Sequence, residues 1–398
     1  MTFDRLWDDL APVGRESSTG GYRRYAWTPA DATLREWFAG QAAARGLDLV
    51  TDRAGNQWAW WGDPDASGPG VAIGSHLDSV PDGGAFDGPL GVVSAFAALD
   101  LLRARGFSPR RPVGIACFGD EEGARFGVAC AGSRLLTGAL DPDRARSLAD
   151  DDGTTMAEAM SAAGHDPRVL GRDEDALRRI GTFLELHVEQ GRGLVGERAA
   201  VGVASSIWPH GRWRLDLRGR ADHAGTTRLE DRDDPMLALA TVITAARAAA
   251  EQRDGRAVAT VGKVLVAPNG VNAIPSLVTA WLDARGPDEA GVRAVVADVA
   301  DAAGTAPVEE SWTPSTPFDP GLRDRLAAEL AAADGSPAPV LPTGAGHDAG
   351  ILAAAGVPSA MLFVRNPTGV SHSPAEHAER DDCLAGVQAL AQAVEVLT

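Results

Sequence analysis

The chain has 398 residues, enough at ~150 residues per domain for two or three domains with sizeable cores. Its formal net charge of −18 argues against a general affinity for nucleic acid or anionic lipid. With 44% apolar and 23% charged residues the composition is that of a globular protein and gives no support for a long disordered segment.

In chain order, Met1–Pro12 carries Asp4, Arg5, Asp8 and Asp9 where a secretory signal needs an unbroken apolar run, so a cytoplasmic protein is expected. Trp58, Trp60 and Trp61 read as packing residues on an early strand. Val71–Ser75 is a short apolar strand that runs into His76-Leu77-Asp78. Asp82–Gly88 reads as a turn, and Pro89 opens an apolar helix that lasts until Gly106. The apolar stretch inside it, Gly91–Leu102, is interrupted by Asp100 and falls far short of the ~20 residues of a membrane span. Val113–Phe118 is a second buried strand and ends in Gly119-Asp120-Glu121-Glu122. Asp141–Arg179, rich in Asp and Arg, reads as solvated helices and loops. Thr182–Leu186 is a third strand, ending in His187-Val188-Glu189-Gln190-Gly191, and Ala360–Val364 a fourth, ahead of a loop holding Ser371-His372-Ser373. Four strands therefore deliver acids and histidines at or just beyond their carboxyl ends, where open α/β sheets place ligands. Three cysteines, Cys117, Cys130 and Cys383, match neither a disulfide framework nor a zinc ribbon and suit a reducing compartment.

A different rhythm occupies residues 206–315. Arg212–Gly219, Arg256–Val266, Leu277–Arg285 and Pro307–Trp312 read as strands, and Asp234–Gln252 and Asp288–Ala303 as helices. The order βαββαβ is that of a ferredoxin-like two-layer unit. Because metal-type residues lie on both sides of it, this second domain reads as inserted into a first domain made of residues 1–205 and 316–398.

Taken singly, the candidate functional residues have ordinary readings. His76 and Asp78 are two apart on a strand end and point the same way, as a ligand with a carboxylate fixing its tautomer or as a plain surface strand end. Glu121-Glu122 is either a solvated turn or, following a buried strand, a pair of carboxylates in low dielectric that needs a cation or a shared proton. If Glu122 binds a metal, Glu121 stands beside it as a base. Asp87 is either a turn aspartate or a two-oxygen bridge between metals, His187 a core histidine or a ligand, and His372 a loop residue of weak individual signal. Together they give oxygen and nitrogen ligation without thiolate, suited to zinc, manganese, cobalt or nickel.

The segments Gly74-Ser75-His76-Leu77-Asp78-Ser79-Val80, Gly83-Gly84-Ala85-Phe86-Asp87-Gly88-Pro89, Glu121-Glu122-Gly123-Ala124-Arg125-Phe126, Leu184-Glu185-Leu186-His187-Val188-Glu189-Gln190-Gly191, His223-Ala224-Gly225-Thr226-Thr227, Gly344-Ala345-Gly346-His347-Asp348-Ala349 and Ser371-His372-Ser373-Pro374-Ala375-Glu376 occur in this order. As a combination they resemble the M20 metallopeptidase superfamily in its hydantoinase/carbamoylase branch. The resemblance implies an α/β fold with a mixed-sheet di-metal hydrolase domain and an inserted ferredoxin-like dimerisation and lid domain. It implies a homodimer that cleaves the ureido C–N bond of an N-carbamoyl-L-amino acid or allantoate, releasing ammonia and carbon dioxide, with no nucleic-acid or membrane partner. An aminoacylase or dipeptidase of the same superfamily is the alternative, and a metal-binding homodimer without catalysis a more distant one.

By the same resemblance two divalent ions, zinc, manganese, cobalt or nickel, are held by His76, Asp87 and His187 and by Asp87, Glu122 and His372, with Asp87 shared. Glu121 is the proton shuttle, Asp78 supports His76, and His223 stabilises the oxyanion in the partner subunit's site. Gln190, Asn272 and Arg285 form the clamp on the substrate carboxylate, and Gly346 joins the substrate site. His347 is expected to be supporting or structural. Where the branch usually continues Pro-Met after Thr227, this chain has Arg228-Leu229, which adds a cation beside that loop.

Overall fold

A computed structural model describes residues 2–253, 257–332 and 335–398. Met1, at the start of the N-terminal segment, and Arg256, the expected first residue of a strand, lie outside the described residues. By its contacts the chain divides into two compact units, Met1–Ser205 with Pro317–Thr398, and Ser206–Thr316.

The larger unit is built on a mixed sheet. Seven of its strands run in the order Asp48–Thr51, Gln57–Trp61, Val113–Phe118, Gly70–His76, Ile180–Val188, Ser359–Val364 and Val201–Ile207. The middle four are parallel to one another, and Gln57–Trp61 and Val201–Ile207 flank them antiparallel. The four parallel strands are buried along nearly their whole length, as expected where helices cover both faces of a sheet. Helix Pro89–Ala104 explains much of that cover. Proline opens it, Gly106 follows its end at φ 71°, and twelve of its residues are buried, so it is apolar on all sides rather than on one stripe. It packs against the central strands and the C-terminal helix Arg380–Leu397, sharing one core with Ile73, Leu99, Ile115, Leu186, Leu362 and Leu390.

Residues 141–179 are less solvated than their charge suggests. Asp141, Thr155 and Asp173 cap the short helices Pro142–Ser147, Met156–Ala162 and Glu174–Arg178. Ala145, Met156, Ala159, Met160 and Leu170 then join Ala54, Phe126, Ala131, Leu135 and Leu140 in a small apolar cluster. The sparse apolar residues were legible, but their convergence depends on turns that charge density conceals.

The smaller unit is a two-layer α+β domain. Its strands are ordered Val308–Thr313, His210–Arg218, Leu277–Arg285 and Val258–Ala267, all antiparallel. Strand Leu277–Arg285 alternates buried and half-buried residues, the period of a sheet with one covered face. Helices Pro235–Glu251 and Glu289–Ala303 supply that cover through Leu239, Val242, Val292, Val295 and Val299. The chain order of strands and helices is βαββαβ, the ferredoxin-like arrangement. A short ribbon, Asp222–His223 paired with Ala273–Ile274, is added to it. Among the described residues no helix is long and apolar enough to cross a membrane.

Candidate metal centre

The carboxyl ends of the four parallel strands converge on one cluster. His76 ends its strand level with Phe118, and His187 lies within the strand Ile180–Val188 rather than beyond it as the sequence suggested. Gly74 pairs with Glu185, so His76 and His187, each two residues further on, project from neighbouring strands with ring centroids 6.0 Å apart. Asp87 reaches them from the turn before helix Pro89–Ala104. Gly88, at φ 84°, permits that turn, because a Cβ there would stand 2.4 Å from the His76 ring. Asp87 Oδ1 lies 3.1 Å from His187 Nε2 and 3.6 Å from His76 Nε2, while Oδ2 lies 3.4 Å from His372 Nε2. Glu122 Oε2 is 3.5 Å from the same His372 nitrogen. Two groups of potential ligands result, His76 with Asp87 and His187, and Asp87 with Glu122 and His372, each with its donor atoms within 4.8 Å of one another.

These side chains are prepared for a cation. The Nδ1 atoms of His76 and His187 meet the backbone carbonyls of Asp78 and Val188 at 3.1 and 2.9 Å, which aims both Nε2 atoms into the cluster. Both Nε2 atoms are buried and, despite the nearby Asp87 oxygen, lack a hydrogen-bond partner of adequate geometry; buried Glu122 Oε1 has none either. Burial drives the Glu121 and Glu122 carboxyls well above the ordinary carboxylate range, and neighbouring acids add to it: Asp348 and Glu122 for Glu121, Asp87 for Glu122. For Asp87 burial acts the same way, but the His187 and His76 imidazoles beside its carboxylate outweigh it and hold the carboxyl well below its usual range. Orphaned imidazole nitrogens beside buried acids are the donor set that a divalent ion would satisfy.

Asp78 stands beside His76, its carboxylate Oδ1 3.5 Å from Nδ1, and has a second part. Its backbone carbonyl, not its carboxylate, makes the short contact to His76. The carboxylate accepts from the N–H groups of Glu121 and Glu122 at 3.1 and 3.0 Å, and so fixes the turn that presents both glutamates.

The sequence matches the peptidase family M20/M25/M40 over residues 72–396. The chain belongs to that family. It is 36% identical to an N-carbamoyl-L-amino acid amidohydrolase of Geobacillus stearothermophilus over 97% of this chain and 96% of the relative. It is 31% identical to the allantoate amidohydrolase of Escherichia coli over 94% and 92%. A crystal structure of a hydantoinase/carbamoylase family amidase from Burkholderia vietnamiensis superposes with a TM-score of 0.90 at 30% identity, covering 99% of this chain and 97% of that one. The M20 family implies dependence on a divalent metal, and the two ligand groups fit it.

In this M20 chain the remaining expected site residues fall into two sets. Gln190 joins the cluster, but its amide donates to Asp87 Oδ2 at 2.8 Å and Ser371 Oγ at 3.0 Å, leaving its own buried oxygen without a partner. Gly346 precedes His347, the N-cap of helix Asp348–Ala354, whose ring packs edge-on to His187 at 4.5 Å. The second set lies in the smaller unit. His223 is exposed, and Asn272 is beside it through the Ala273–His223 pairing and a 2.9 Å bond from Ala224 N–H to the Asn272 carbonyl. Arg285 is not with them. It ends the strand that Leu277 begins, eight residues of roughly 3.3 Å each away, or about 26 Å. Its guanidinium is braced by Asp283, with Nε and Nη2 donating at 2.7 and 3.0 Å. Within one copy of this unit Asn272 and Arg285 therefore stand apart. Arg228 pairs with Glu230 and Asp231 at 3.2 and 2.8 Å, so the departure after Thr227 adds a compensated charge.

Three residues carry roles at the site that the sequence reading did not assign. Glu185 is fully buried between Ser75 Oγ and the Ala349 N–H, at 2.8 and 2.9 Å. Cys130 Sγ donates to Glu121 Oε1 at 3.2 Å. Glu376 accepts the N–H groups of Phe86 and Asp87. A glutamate inside an otherwise apolar strand was the available signal for Glu185.

Proposed function

We propose that the chain is an amidohydrolase that cleaves the ureido C–N bond of an N-carbamoyl-L-amino acid or of allantoate, releasing ammonia and carbon dioxide. The observation that carries this reading is Asp87, one carboxylate shared by two three-residue ligand groups, with Glu121 beside them and in neither. His76, Asp87 and His187 would hold one divalent ion and Asp87, Glu122 and His372 a second, drawn from zinc, manganese, cobalt and nickel. Such a pair supplies a water that is nucleophilic at neutral pH and a polarised carbonyl. Glu121, its Oε2 3.7 Å from His76 Nε2, takes the proton of the attacking water and returns it to the leaving nitrogen. The carbamate left behind breaks down to carbon dioxide and ammonia. Named relatives acting on N-carbamoyl amino acids and allantoate support this substrate class.

The working form we propose is a cytoplasmic homodimer joined through the smaller unit. Strand Val258–Ala267 is the edge of its sheet, ten residues long with Lys263 its one charge. Val258 and Leu265 on it are more than half exposed, as is Leu237 on helix Pro235–Glu251, and a second copy pairing edge to edge would cover them. The separation of Arg285 from Leu277, roughly 26 Å of strand, supports exchange of residues: one substrate would meet Arg285 of one protomer and His223 with Asn272 of the other. Three buried free thiols suit a reducing compartment.

The test is ammonia release with each of the four metals from N-carbamoyl-L-amino acids, allantoate, β-ureidopropionate and N-acetyl amino acids. Ammonia from a ureido substrate is expected; turnover of N-acetyl amino acids alone would move the chain to the aminoacylases. In parallel, Asp87→Ala is expected to lose metal at both positions and His372→Ala at one, read by metal analysis after dialysis. Two metals retained by Asp87→Ala would remove the bridge.

A further inference from the structure

The loop that carries Asp87 and the loop that carries His372 are nearly three hundred residues apart in sequence, and besides a 3.1 Å contact of Ser371 Oγ with Asp87 Oδ2 the buried Glu376 side chain joins them. Glu376 is 5% exposed. Its Oε2 accepts from the N–H groups of Phe86 and Asp87 at 2.9 and 3.0 Å, and its Oε1 accepts from Ser371 Oγ at 3.1 Å. Three donors on a buried carboxylate, two of them from one loop and the third from the other, set the spacing between the loops. Gly84 makes the approach possible, because a Cβ there would stand 2.2 Å from Oε2. The Phe86 and His377 rings meet edge to face at 5.9 Å beside the carboxylate.

His372 needs such an anchor. It sits at φ 54°, a region that residues other than glycine occupy only where their surroundings hold them, and its side chain is half exposed. Ser371 before it is held by the Glu376 carboxylate, and Ser373 after it accepts the Glu376 N–H at 3.0 Å. Glu376 belongs to neither ligand group of the centre.

We propose that Glu376 is a positioning residue that clamps the Asp87 loop to the His372 loop and thereby sets the affinity of both metal positions. The inference rests on the reading of Asp87 and His372 as ligands. Because Asp87 is shared and His372 is not, loosening the clamp reaches both positions. Glu376→Ala removes every acceptor. Glu376→Gln keeps one carbonyl oxygen for the two backbone N–H groups and offers an N–H to Ser371 Oγ.

The experiment titrates metal-free full-length protein with zinc by calorimetry and follows hydrogen exchange at the Phe86 and Asp87 amides. Glu376→Ala is expected to bind zinc about ten- to a hundredfold more weakly and to exchange both amides faster, as loss of a ligand's supporting partner commonly does. Glu376→Gln is expected to recover most of the affinity and the protection. Should Glu376→Ala fail to fold, Ser371→Ala cuts the Glu376 link to the His372 loop, together with the contacts of the same hydroxyl to Asp87 Oδ2 at 3.1 Å and Gln190 at 3.0 Å. It is expected to weaken zinc several-fold while leaving the Phe86 and Asp87 amides protected. Wild-type affinity in Glu376→Ala, or in Ser371→Ala where that variant is the one used, overturns the proposal, as does a folded Glu376→Gln as weak as Glu376→Ala. Asp87→Ala is measured alongside: if it also keeps full zinc affinity, the ligand reading itself is overturned, whereas zinc lost there and kept in Glu376→Ala overturns the clamp alone.

Discussion

Glu121→Gln is expected to keep its fold and its metal and to lose kcat by about a thousandfold or more, within the range that removing a positioned general base produces. The substitution is close to isosteric and disturbs little else. The Glu121 N–H that Asp78 holds belongs to the backbone, and the Cys130 thiol can donate to an amide oxygen as it does to the carboxylate. What the amide cannot do is accept the proton of the attacking water. The loss should therefore fall on kcat while KM changes little, the pattern of an interaction made in the transition state. Metal content and thermal stability provide the controls. Activity within tenfold of wild type, with metal in place, would take Glu121 out of the mechanism and leave Asp348, grouped with it and Cys130, as the next acid to test.

Much of the centre was legible because the sheet announces itself. Val71–Ser75, Val113–Phe118 and Ala360–Val364 are apolar runs that stop abruptly at polar residues, and parallel strands buried on both faces must deliver those residues to one edge of the sheet. His187 was found for the same reason, although it lies inside its strand, where its ring is buried. The supporting groups were not legible. Glu185 meets Ser75 and Ala349, 110 and 164 residues away, and Glu376 meets Phe86 at a separation of 290. No local spacing encodes such pairs; they exist only once the strands are side by side. Asp78 shows the same limit at short range. Its spacing from His76 gave the right neighbour, but whether the carbonyl or the carboxylate turns toward the imidazole depends on the Glu121–Glu122 turn, which offers the carboxylate two better donors. In the smaller unit, residue types suited to a carboxylate clamp were visible at Asn272 and Arg285, whereas the placement of Arg285 at the far end of a nine-residue strand and of Asn272 beside a separate short ribbon required the register.

That separation leads to a prediction about assembly. An inactive Glu121→Gln protein mixed with an inactive His223→Ala protein should regain activity once subunits exchange, up to about a quarter of wild type, since random pairing makes half the dimers mixed and each mixed dimer has one complete site of two. The complete site takes Glu121 from the His223→Ala chain and His223 from the Glu121→Gln chain; the other site lacks both. His223 is suited to serving another copy's site because its ring is exposed on a tight turn. Its Nδ1 accepts from the Gly225 N–H at 3.0 Å, Thr227 bonds its carbonyl at 2.8 Å, and Arg232 ties Ala224 and Thr227 from behind. That bonding occupies Nδ1, so Nε2 is the nitrogen that the proposed oxyanion role would use. Mixing Glu121→Gln with Asp87→Ala is the control, because both lesions lie in the larger unit, and it separates exchange of the smaller unit's residues from simple stabilisation by a partner. If each chain used its own His223, the first mixture would stay at the sum of its parents even with mixed dimers present by native mass spectrometry, and the exposed ribbon of Asp222–His223 with Ala273–Ile274 would then belong to the site of its own chain.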